Sequence, residues 1–185
     1  MNENFFQSRK FLIPFNLCSF YLLWILIITE VAKRSFFISP VILLCFLVLH
    51  LILSKQSVLE LFFICSFTLL GTLIESALLH LELYHYAPLL SLHSKIPPLW
   101  VACIYLLMST TFSSSLYWLR KKHLALTSSL GFLGGASSYW FGYQTKVFHF
   151  DGSILTALLC LSLYWMFLFP FGFFMRKNLA LMIKS

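Results

Sequence analysis

Long apolar runs separated by short polar segments are the main pattern along this chain of 185 residues. A helix needs about 20 apolar residues to cross the hydrocarbon of a bilayer, and six runs of roughly that length can be counted. The runs do not alternate polar with apolar residues, as membrane β-strands would, so they predict helices. The predicted transmembrane helices are residues 11–29, 35–54, 61–79, 96–119, 124–145 and 152–175. We expect an all-α polytopic bundle in one domain, residues 1–185.

Composition supports a bilayer as the solvent. The chain is 60% hydrophobic and 10% charged. In a typical soluble domain, charged residues make up about a quarter of all residues. The net charge of +7 raises the alternative of nucleic acid. However, the basic residues occur in short clusters between the apolar runs and form no basic patch, so we expect no nucleic acid partner.

The distribution of Lys and Arg predicts the orientation. With six spans, nine basic residues fall on one side and four on the other. The richer side has Arg9, Lys10, Lys55, Arg120, Lys121, Lys122, Arg176, Lys177 and Lys184, and the poorer side has Lys33, Arg34, Lys95 and Lys146. Because positive charge is retained inside, both termini are predicted to be cytoplasmic. The tail after Met175 is predicted to lie along the inner interface.

Glu75 is the acidic residue that interrupts the third apolar run. A carboxylate there is costly unless it is protonated, paired or facing a wet cavity. It shares one helical face with Gly71 and Thr72, and that face should point into the bundle. Two interpretations remain open: a ligand for a proton, a cation or a polar substrate group, and a carboxyl that only reaches the interface or bonds to a neighbouring helix.

Hydroxyl residues and glycines mark the fourth and fifth runs. A block of hydroxyl residues at 109–115 includes Thr111 and Ser114, which we interpret chiefly as contacts between helices, with a polar cavity as the alternative. No base lies near these serines in sequence, which disfavours a nucleophile. The fifth run has a small face that contains Gly131, Gly134, Gly135, Ser138 and Gly142. Gly131 and Gly135 form a GxxxG motif, for which we favour internal packing, against the fourth span, over a dimer seam.

The outer segment between the third and fourth spans contains His80, His85 and His93 with Glu82. Their spacing is not that of a metal site, and we expect no metal or cofactor. The aromatic residues Tyr84, Tyr86 and Trp100 are predicted to form part of an interfacial belt. His50 in the second span is expected to face the bundle interior. The five cysteines lie singly in apolar runs and suit packing.

The last two-thirds of the chain resembles a bacterial membrane family, domain of unknown function 2878. The resemblance is carried by Pro98-Leu99-Trp100 followed by Thr111 and Ser115-Leu116-Tyr117-Trp118-Leu119, by Gly71 with Glu75, and by Gly134, Gly135, Tyr139 and Gly142. In the family pattern an Asn-His pair stands where this chain has Ser113-Ser114, and the acid at Glu75 is usually Asp. The resemblance implies a bacterial inner-membrane location and a link to membrane lipid metabolism, because relatives are encoded near genes for fatty-acid or lipid modification.

Two function classes follow from the sequence. We favour a non-enzymatic binding, transport or accessory module with Glu75 as polar anchor. The alternative is a membrane-embedded lipid-modifying enzyme with Glu75 as acid or base, which would need a second convergent group that the sequence does not provide. The expected partners are membrane lipids and a small-molecule or lipid ligand. A homo-oligomer or another membrane protein stays open as a further partner.

Overall fold

The computed structural model describes residues 9–87 and 95–183. Within those residues the chain forms six α-helices and a two-stranded antiparallel ribbon. The elements are α1 (Arg9–Ala32), α2 (Ile38–Leu53), α3 (Ser57–Leu79), β1 (Tyr84–Tyr86), α4 (Leu99–Ser109), a 3-10 helix (Tyr117–Lys121), α5 (Leu124–Gln144), β2 (Phe148–Phe150) and α6 (Ile154–Met182). The prediction of an all-α fold is confirmed apart from the ribbon.

Three helices of the described part of the chain, α1, α3 and α6, are long and apolar enough to cross a membrane. Their outward faces carry large apolar side chains such as Leu22, Leu69 and Phe167, which are 69%, 62% and 68% exposed. Soluble monomers rarely expose extensive apolar surface, so these helices indicate a membrane protein. α2 and α4 are also apolar but shorter, at 16 and 11 residues.

The ribbon defines one end of the helical bundle. β1 lies between α3 and α4, β2 lies between α5 and α6, and His85 stands opposite His149 at the centre of their pairing. We call this the ribbon end, and we call the opposite end, where α1 begins and α6 ends, the base. α5 packs along α6, α3 packs along α4, and α1 contacts both α2 and α4.

Glu30 joins the first two helices at the ribbon end. Its carboxylate accepts hydrogen bonds from the backbone N–H of Ile38 at 3.1 Å, and from the N–H and the hydroxyl of Ser39 at 2.9 Å and 2.6 Å. The first N–H groups of a helix have no partner within it, so the carboxylate of α1 caps the start of α2.

The predicted fourth helix, residues 96–119, is wrong as one continuous element. α4 ends at Ser109, and the chain then passes through turns before the 3-10 helix. The hydroxyls of Ser109, Thr110 and Thr111 donate to backbone carbonyl oxygens one turn earlier, at 2.6, 2.8 and 2.7 Å. Such side-chain bonds compete with the helical pattern, and here three successive ones accompany the end of the helix.

α6 is longer than predicted. It continues to Met182, so the prediction that the sixth helix ends at residue 175 is wrong, and residues 176–182 are part of the helix. Leu179 in this extension packs against the hydrophobic core, and Arg176 forms an ion pair with Glu60 of α3. Both contacts stabilise the additional helical turns.

Buried phenylalanine rings fill the middle of the bundle. The ring centroids of Phe67 and Phe112 lie 5.0 Å apart, and those of Phe112 and Phe173 lie 4.8 Å apart. We call the whole set the phenylalanine core; it comprises Phe63, Phe67, Phe112, Phe169 and Phe173. Along α3 its members lie between Glu60 at the base and Glu75 at the ribbon end, so aromatic packing separates the two carboxylates.

Candidate functional site

Helix α3 carries two buried carboxylates, one towards each end of the bundle. Glu60 is 1% exposed and Glu75 is 2% exposed. A buried carboxylate requires partners. The partners differ at the two ends: tyrosine hydroxyls surround Glu75, whereas Glu60 contacts an arginine and a serine.

Tyrosine hydroxyls surround Glu75. One carboxylate oxygen, Oε1, accepts from the hydroxyls of Tyr84 and Tyr86, both at 2.7 Å. The other, Oε2, accepts from the hydroxyls of Tyr105 and Tyr139, both at 3.1 Å. These residues come from β1, α4 and α5. We call Glu75 with these four tyrosines the tyrosine cluster.

The ribbon delivers two of the four donors because strand side chains alternate between faces. Tyr84 and Tyr86 point inward and are 1% and 6% exposed, whereas His85 between them is exposed. Burial first, and then the negative charge of Glu75, raises the pKa of the Tyr84 and Tyr86 hydroxyls well above the usual value. Both hydroxyls therefore keep their protons and remain donors.

Gly71 allows the approach of α4 to α3. A Cβ atom at this position would collide with the ring of Tyr105. Because glycine has no side chain, Tyr105 lies directly across α3 and reaches Glu75, which is one helical turn further along. The Tyr105 hydroxyl also bonds to the hydroxyl of Tyr164 in α6 at 2.8 Å.

In the described part of the chain, a small cavity adjoins Glu75. Its volume is about 50 Å³, and Ser138, Tyr139 and Trp100 contribute to its wall. The indole nitrogen of Trp100 is buried without a hydrogen-bond partner in the described residues. This space suits one or two water molecules. It does not suit a lipid or a metabolite.

Glu60 lies in a different setting at the base. Its carboxylate forms an ion pair with Arg176 of α6 and accepts a hydrogen bond from the Ser113 hydroxyl at 2.6 Å. The Nε2 atom of His50 lies 3.7 Å from Glu60 Oε2, beyond hydrogen-bond distance. In the described part of the chain, His50 Nε2 and Arg176 Nε are buried without a hydrogen-bond partner.

These polar groups line a large cavity that is open at the base. Its volume is about 660 Å³, which falls within the usual range for small-molecule sites. We call it the basal cavity. It is lined by Leu12, Ile13, Phe15, Asn16, His50, Leu53, Ser54, Lys55, Gln56, Glu60, Ser113, Ser114, Tyr117, Arg120, Arg176 and Ala180.

Asn16 fixes one wall of the basal cavity. Its side-chain amide donates to the Thr110 hydroxyl at 3.0 Å, and its carbonyl oxygen accepts from the Ser115 hydroxyl at 2.6 Å. The hydroxyl segment that interrupts α4 is thereby bonded to α1. This leaves Ser113 and Ser114 on the cavity wall.

The comparison with protein families covers most of the chain. The family described as protein of unknown function (DUF2878) matches residues 13–171. The chain belongs to this family. No curated protein matches it. No solved structure matches it either. Ser113 and Ser114 lie on the wall of the basal cavity, where the Ser113 hydroxyl donates to Glu60.

The structure divides the six candidate polar-site residues between the two ends. Glu75, Gly71 and Ser138 lie together at the ribbon end. Ser114 lines the basal cavity, and Thr111 is buried in the same segment, where its hydroxyl bonds to Met108. The Thr72 hydroxyl bonds only to carbonyl oxygens of its own helix. The six residues therefore do not form one site.

The candidate packing glycines face α6 and the ribbon. A Cβ at Gly131 or Gly135 would collide with Trp165 of α6, and a Cβ at Gly142 would collide with Phe148 of β2. Gly134 has open space beside it. The prediction that this glycine face packs against the fourth span is wrong, because Gly131 and Gly135 pack against α6.

Two further expectations at the ribbon end are corrected or refined. Tyr84, Tyr86 and Trp100 are buried, so the prediction that they form an interfacial belt is wrong. The hydroxyls of Tyr84 and Tyr86 donate to Glu75 inside the bundle. The indole of Trp100 forms part of the wall of the small cavity beside Glu75. His85 bonds to Asp151 at 2.8 Å, and His93 lies outside the described residues.

The sequence interpretation missed Glu60 and Arg176. The predicted spans 61–79 and 152–175 begin just after Glu60 and end just before Arg176, so both residues fall at the polar edges of apolar runs. One signal was available: Glu60, Phe63, Phe67, Gly71 and Glu75 recur every three or four residues. That spacing places Glu60 on the same interior face as Glu75.

Proposed function

We propose that this protein is a multi-pass protein of the bacterial inner membrane that binds a small molecule or lipid in the basal cavity. It acts as a non-enzymatic binding, transport or accessory module, in keeping with the link to membrane lipid metabolism that the family resemblance implies. The observation that carries the proposal is the open cavity of about 660 Å³, whose lining combines apolar with polar side chains.

A lining of mixed polarity supports a ligand-binding role, because small-molecule sites combine apolar walls with a few polar groups that fix the orientation of the ligand. Leu12, Ile13 and Phe15 contribute apolar side chains to the basal cavity, and Asn16 and Ser114 contribute polar ones.

The tyrosine cluster is better suited to holding the fold together. Four hydroxyls occupy the carboxylate of Glu75, and the adjoining cavity measures about 50 Å³. An enzyme that used Glu75 as acid or base would need room for its substrate beside the carboxylate. We therefore assign ligand binding to the base and a joining role to Glu75.

The proposed orientation places the basal cavity on the cytoplasmic side. Lys55, Arg120 and Arg176 line the cavity, and Lys121, Lys122 and Lys177 lie in or next to the same segments. Positive charge near membrane helices is retained in the cytoplasm. An alkaline phosphatase fusion after Lys95 should be active and one after Lys122 inactive; reversed activities would overturn the orientation.

Native mass spectrometry of the protein extracted gently from membranes tests the binding proposal. We expect the wild-type chain to retain a molecule that Ser114→Phe loses, because the larger ring fills the cavity. Ser137→Phe is the matched control, since Ser137 is exposed on α5 away from the cavity lining. A wild-type protein that retains nothing, or a Ser114→Phe variant that retains the same molecule, would contradict the proposal.

A further inference from the structure

The outer face of the ribbon brings two histidines together. His85 of β1 stands opposite His149 of β2 in the antiparallel pairing. Side chains directly opposite on such a pair project from the same face, with Cβ atoms about 5 Å apart. Both histidines are exposed, whereas Tyr84 and Tyr86 on either side of His85 are buried. The two imidazoles therefore share one exposed surface.

The separation of the two rings suits one metal ion between them. Their centroids lie 5.6 Å apart, and the ring planes are inclined by 37°. Two imidazoles on one zinc ion have their centres about 5–5.5 Å apart, since each ligating nitrogen lies about 2 Å from a tetrahedral ion. Exposed side chains change rotamer within nanoseconds, so each ring can turn one nitrogen towards a common ion while the ribbon backbone stays in place.

Asp151 prepares His85 to act as a ligand. Its two carboxylate oxygens lie 2.8 Å and 3.0 Å from His85 Nδ1. An ionised carboxylate only accepts hydrogen bonds, so it selects the form of the ring that has a proton on Nδ1. In the neutral ring the lone pair is then on Nε2, where it can bind a metal. Histidines that bind metals commonly give their other N–H to a carboxylate in this way.

We propose that His85 and His149 bind one divalent transition-metal ion, such as Zn²⁺, on the outer face of the ribbon, with Asp151 as a positioning residue for His85. Imidazole nitrogens suit zinc, copper and nickel. Within residues 9–87 and 95–183, no group of three or more His, Cys, Asp or Glu side chains is arranged to hold a metal. Water would therefore complete the coordination. Because structural zinc sites use four protein ligands, a site with two histidines should exchange its ion readily.

This proposal departs from the expectation that the histidine spacing gave. That expectation considered His80, His85 and His93, which belong to one segment of the chain. The partner of His85 is His149, and α4 and α5 lie between them in sequence. The pairing of the two strands is what brings the imidazoles together.

A bound ion would link two connections of the bundle. β1 belongs to the connection between α3 and α4, and β2 belongs to the connection between α5 and α6. On its inner face the same ribbon delivers Tyr84 and Tyr86 to Glu75. Because folding brings the two histidines together, the ion binds the folded chain in preference to the unfolded chain and stabilises it. This site is independent of the basal cavity and of the function proposed for it.

Titration of the full-length protein in detergent with zinc chloride tests the proposal. Any affinity tag is removed first, because a polyhistidine tag binds the same ions. Isothermal titration calorimetry measures the Kd and the number of ions per chain, and thermal unfolding measures the change in Tm. We expect zinc to bind as one ion per chain and to raise the Tm. Magnesium chloride at the same concentration should do neither, because magnesium prefers oxygen ligands.

Matched variants connect the binding to the ribbon. His85→Gln and His149→Gln should each remove measurable zinc binding, because one imidazole remains. Asp151→Asn should raise the Kd about tenfold, the lower end of the usual effect of a residue that orients a ligand. It should leave the Tm without zinc unchanged, whereas a merely structural role would lower it. His123→Gln removes an exposed imidazole at the start of α5 and should bind zinc as the wild type does.

Several outcomes would overturn the metal site. They are a wild-type chain that binds no zinc, an equal shift of Tm by magnesium, and undiminished binding in His149→Gln. A loss in His123→Gln as large as that in His149→Gln would also overturn it, because binding would then not depend on the ribbon. Each of these results leaves the retention test with Ser114→Phe unaffected, so failure of the metal site is distinguishable from failure of the basal cavity.

Discussion

At the residue scale, the four hydroxyls around Glu75 come from β1, α4 and α5, while Glu75 itself belongs to α3. All four act as donors, so the group at their centre has to be an acceptor at both of its oxygens. Glutamine has nearly the same shape but replaces one acceptor with a donor. The substitution Glu75→Gln therefore tests whether Glu75 holds α3 to β1, α4 and α5.

We expect Glu75→Gln to lower the free energy of unfolding by about 2–4 kcal/mol, because all four hydroxyls lose a charged acceptor and the two that face the new amide nitrogen lose their acceptor altogether. Thermal unfolding in detergent and the amount of protein in the membrane would both decrease. Glu82→Gln is the control, since Glu82 is 76% exposed in its ion pair with Lys95. Full stability with loss of ligand in Glu75→Gln would instead indicate a binding role for Glu75.

The pair of Glu60 and Arg176 allows a second prediction. Arg176→Gln leaves a buried carboxylate without its cation and should destabilise the fold by about 3–5 kcal/mol. The double variant Glu60→Gln/Arg176→Gln removes both charges and should recover most of that loss. Thermal unfolding of the two single variants and the double variant measures the coupling. Additive losses in the double variant would show that the two charges do not depend on each other.

Sequence alone predicted the burial of Glu75 but not its surroundings. The cost of a carboxylate within an apolar run requires an inward direction, and helical spacing gives the face. The partners lie between 9 and 64 residues away in sequence. No periodicity in one segment contains that information, and tyrosines near the ends of apolar runs ordinarily indicate an interface.

At the element scale, the close pairing of α5 with α6 depends on which glycines face Trp165. Gly131 and Gly135 are buried against that residue, whereas Gly134 has nothing within 4 Å of a Cβ atom. The GxxxG motif was recognisable from sequence. Its partner was not, because α4 and α6 both adjoin α5 in chain order and only three-dimensional packing distinguishes them.

An alanine series tests this pairing. Gly131→Ala and Gly135→Ala should each lower the free energy of unfolding by about 1–3 kcal/mol, because the new methyl group overpacks the contact with α6. Gly134→Ala should be neutral or should stabilise the helix by up to about 1 kcal/mol. Thermal unfolding in detergent checks the series. Equal effects at the three positions would show that the close α5–α6 contact is not the cause.

The hydroxyl block shows where element prediction from hydropathy reaches its limit. Residues 96–119 have enough apolar residues to predict a full span, but backbone bonding by Ser109, Thr110 and Thr111 accompanies the end of α4. Hydropathy counts a threonine as mildly polar and does not record what its hydroxyl bonds to. The break also places Ser113 beside Glu60, so the missed helix end and the missed site have one physical origin.

At the scale of the whole molecule, the two polar ends differ in access. The tyrosine cluster is closed over by the ribbon, and only about 50 Å³ adjoins Glu75, whereas the basal cavity measures about 660 Å³. The phenylalanine core lies between them. Access to the proposed ligand site is therefore from the base in this conformation.

One-sided access predicts one-sided labelling by a membrane-impermeant maleimide. Ser114→Cys lies on the wall of the basal cavity, so we expect it to react in inverted membrane vesicles and to stay unreactive in spheroplasts. Glu82→Cys at the ribbon end, where the side chain is 76% exposed, should show the reverse. The native Cys18, Cys45 and Cys65 face outward from apolar helices, and they should not react from either side because an impermeant reagent does not enter the hydrocarbon. Labelling of Ser114→Cys from the spheroplast side would refute the proposed orientation, and no labelling from either side would refute an open basal cavity.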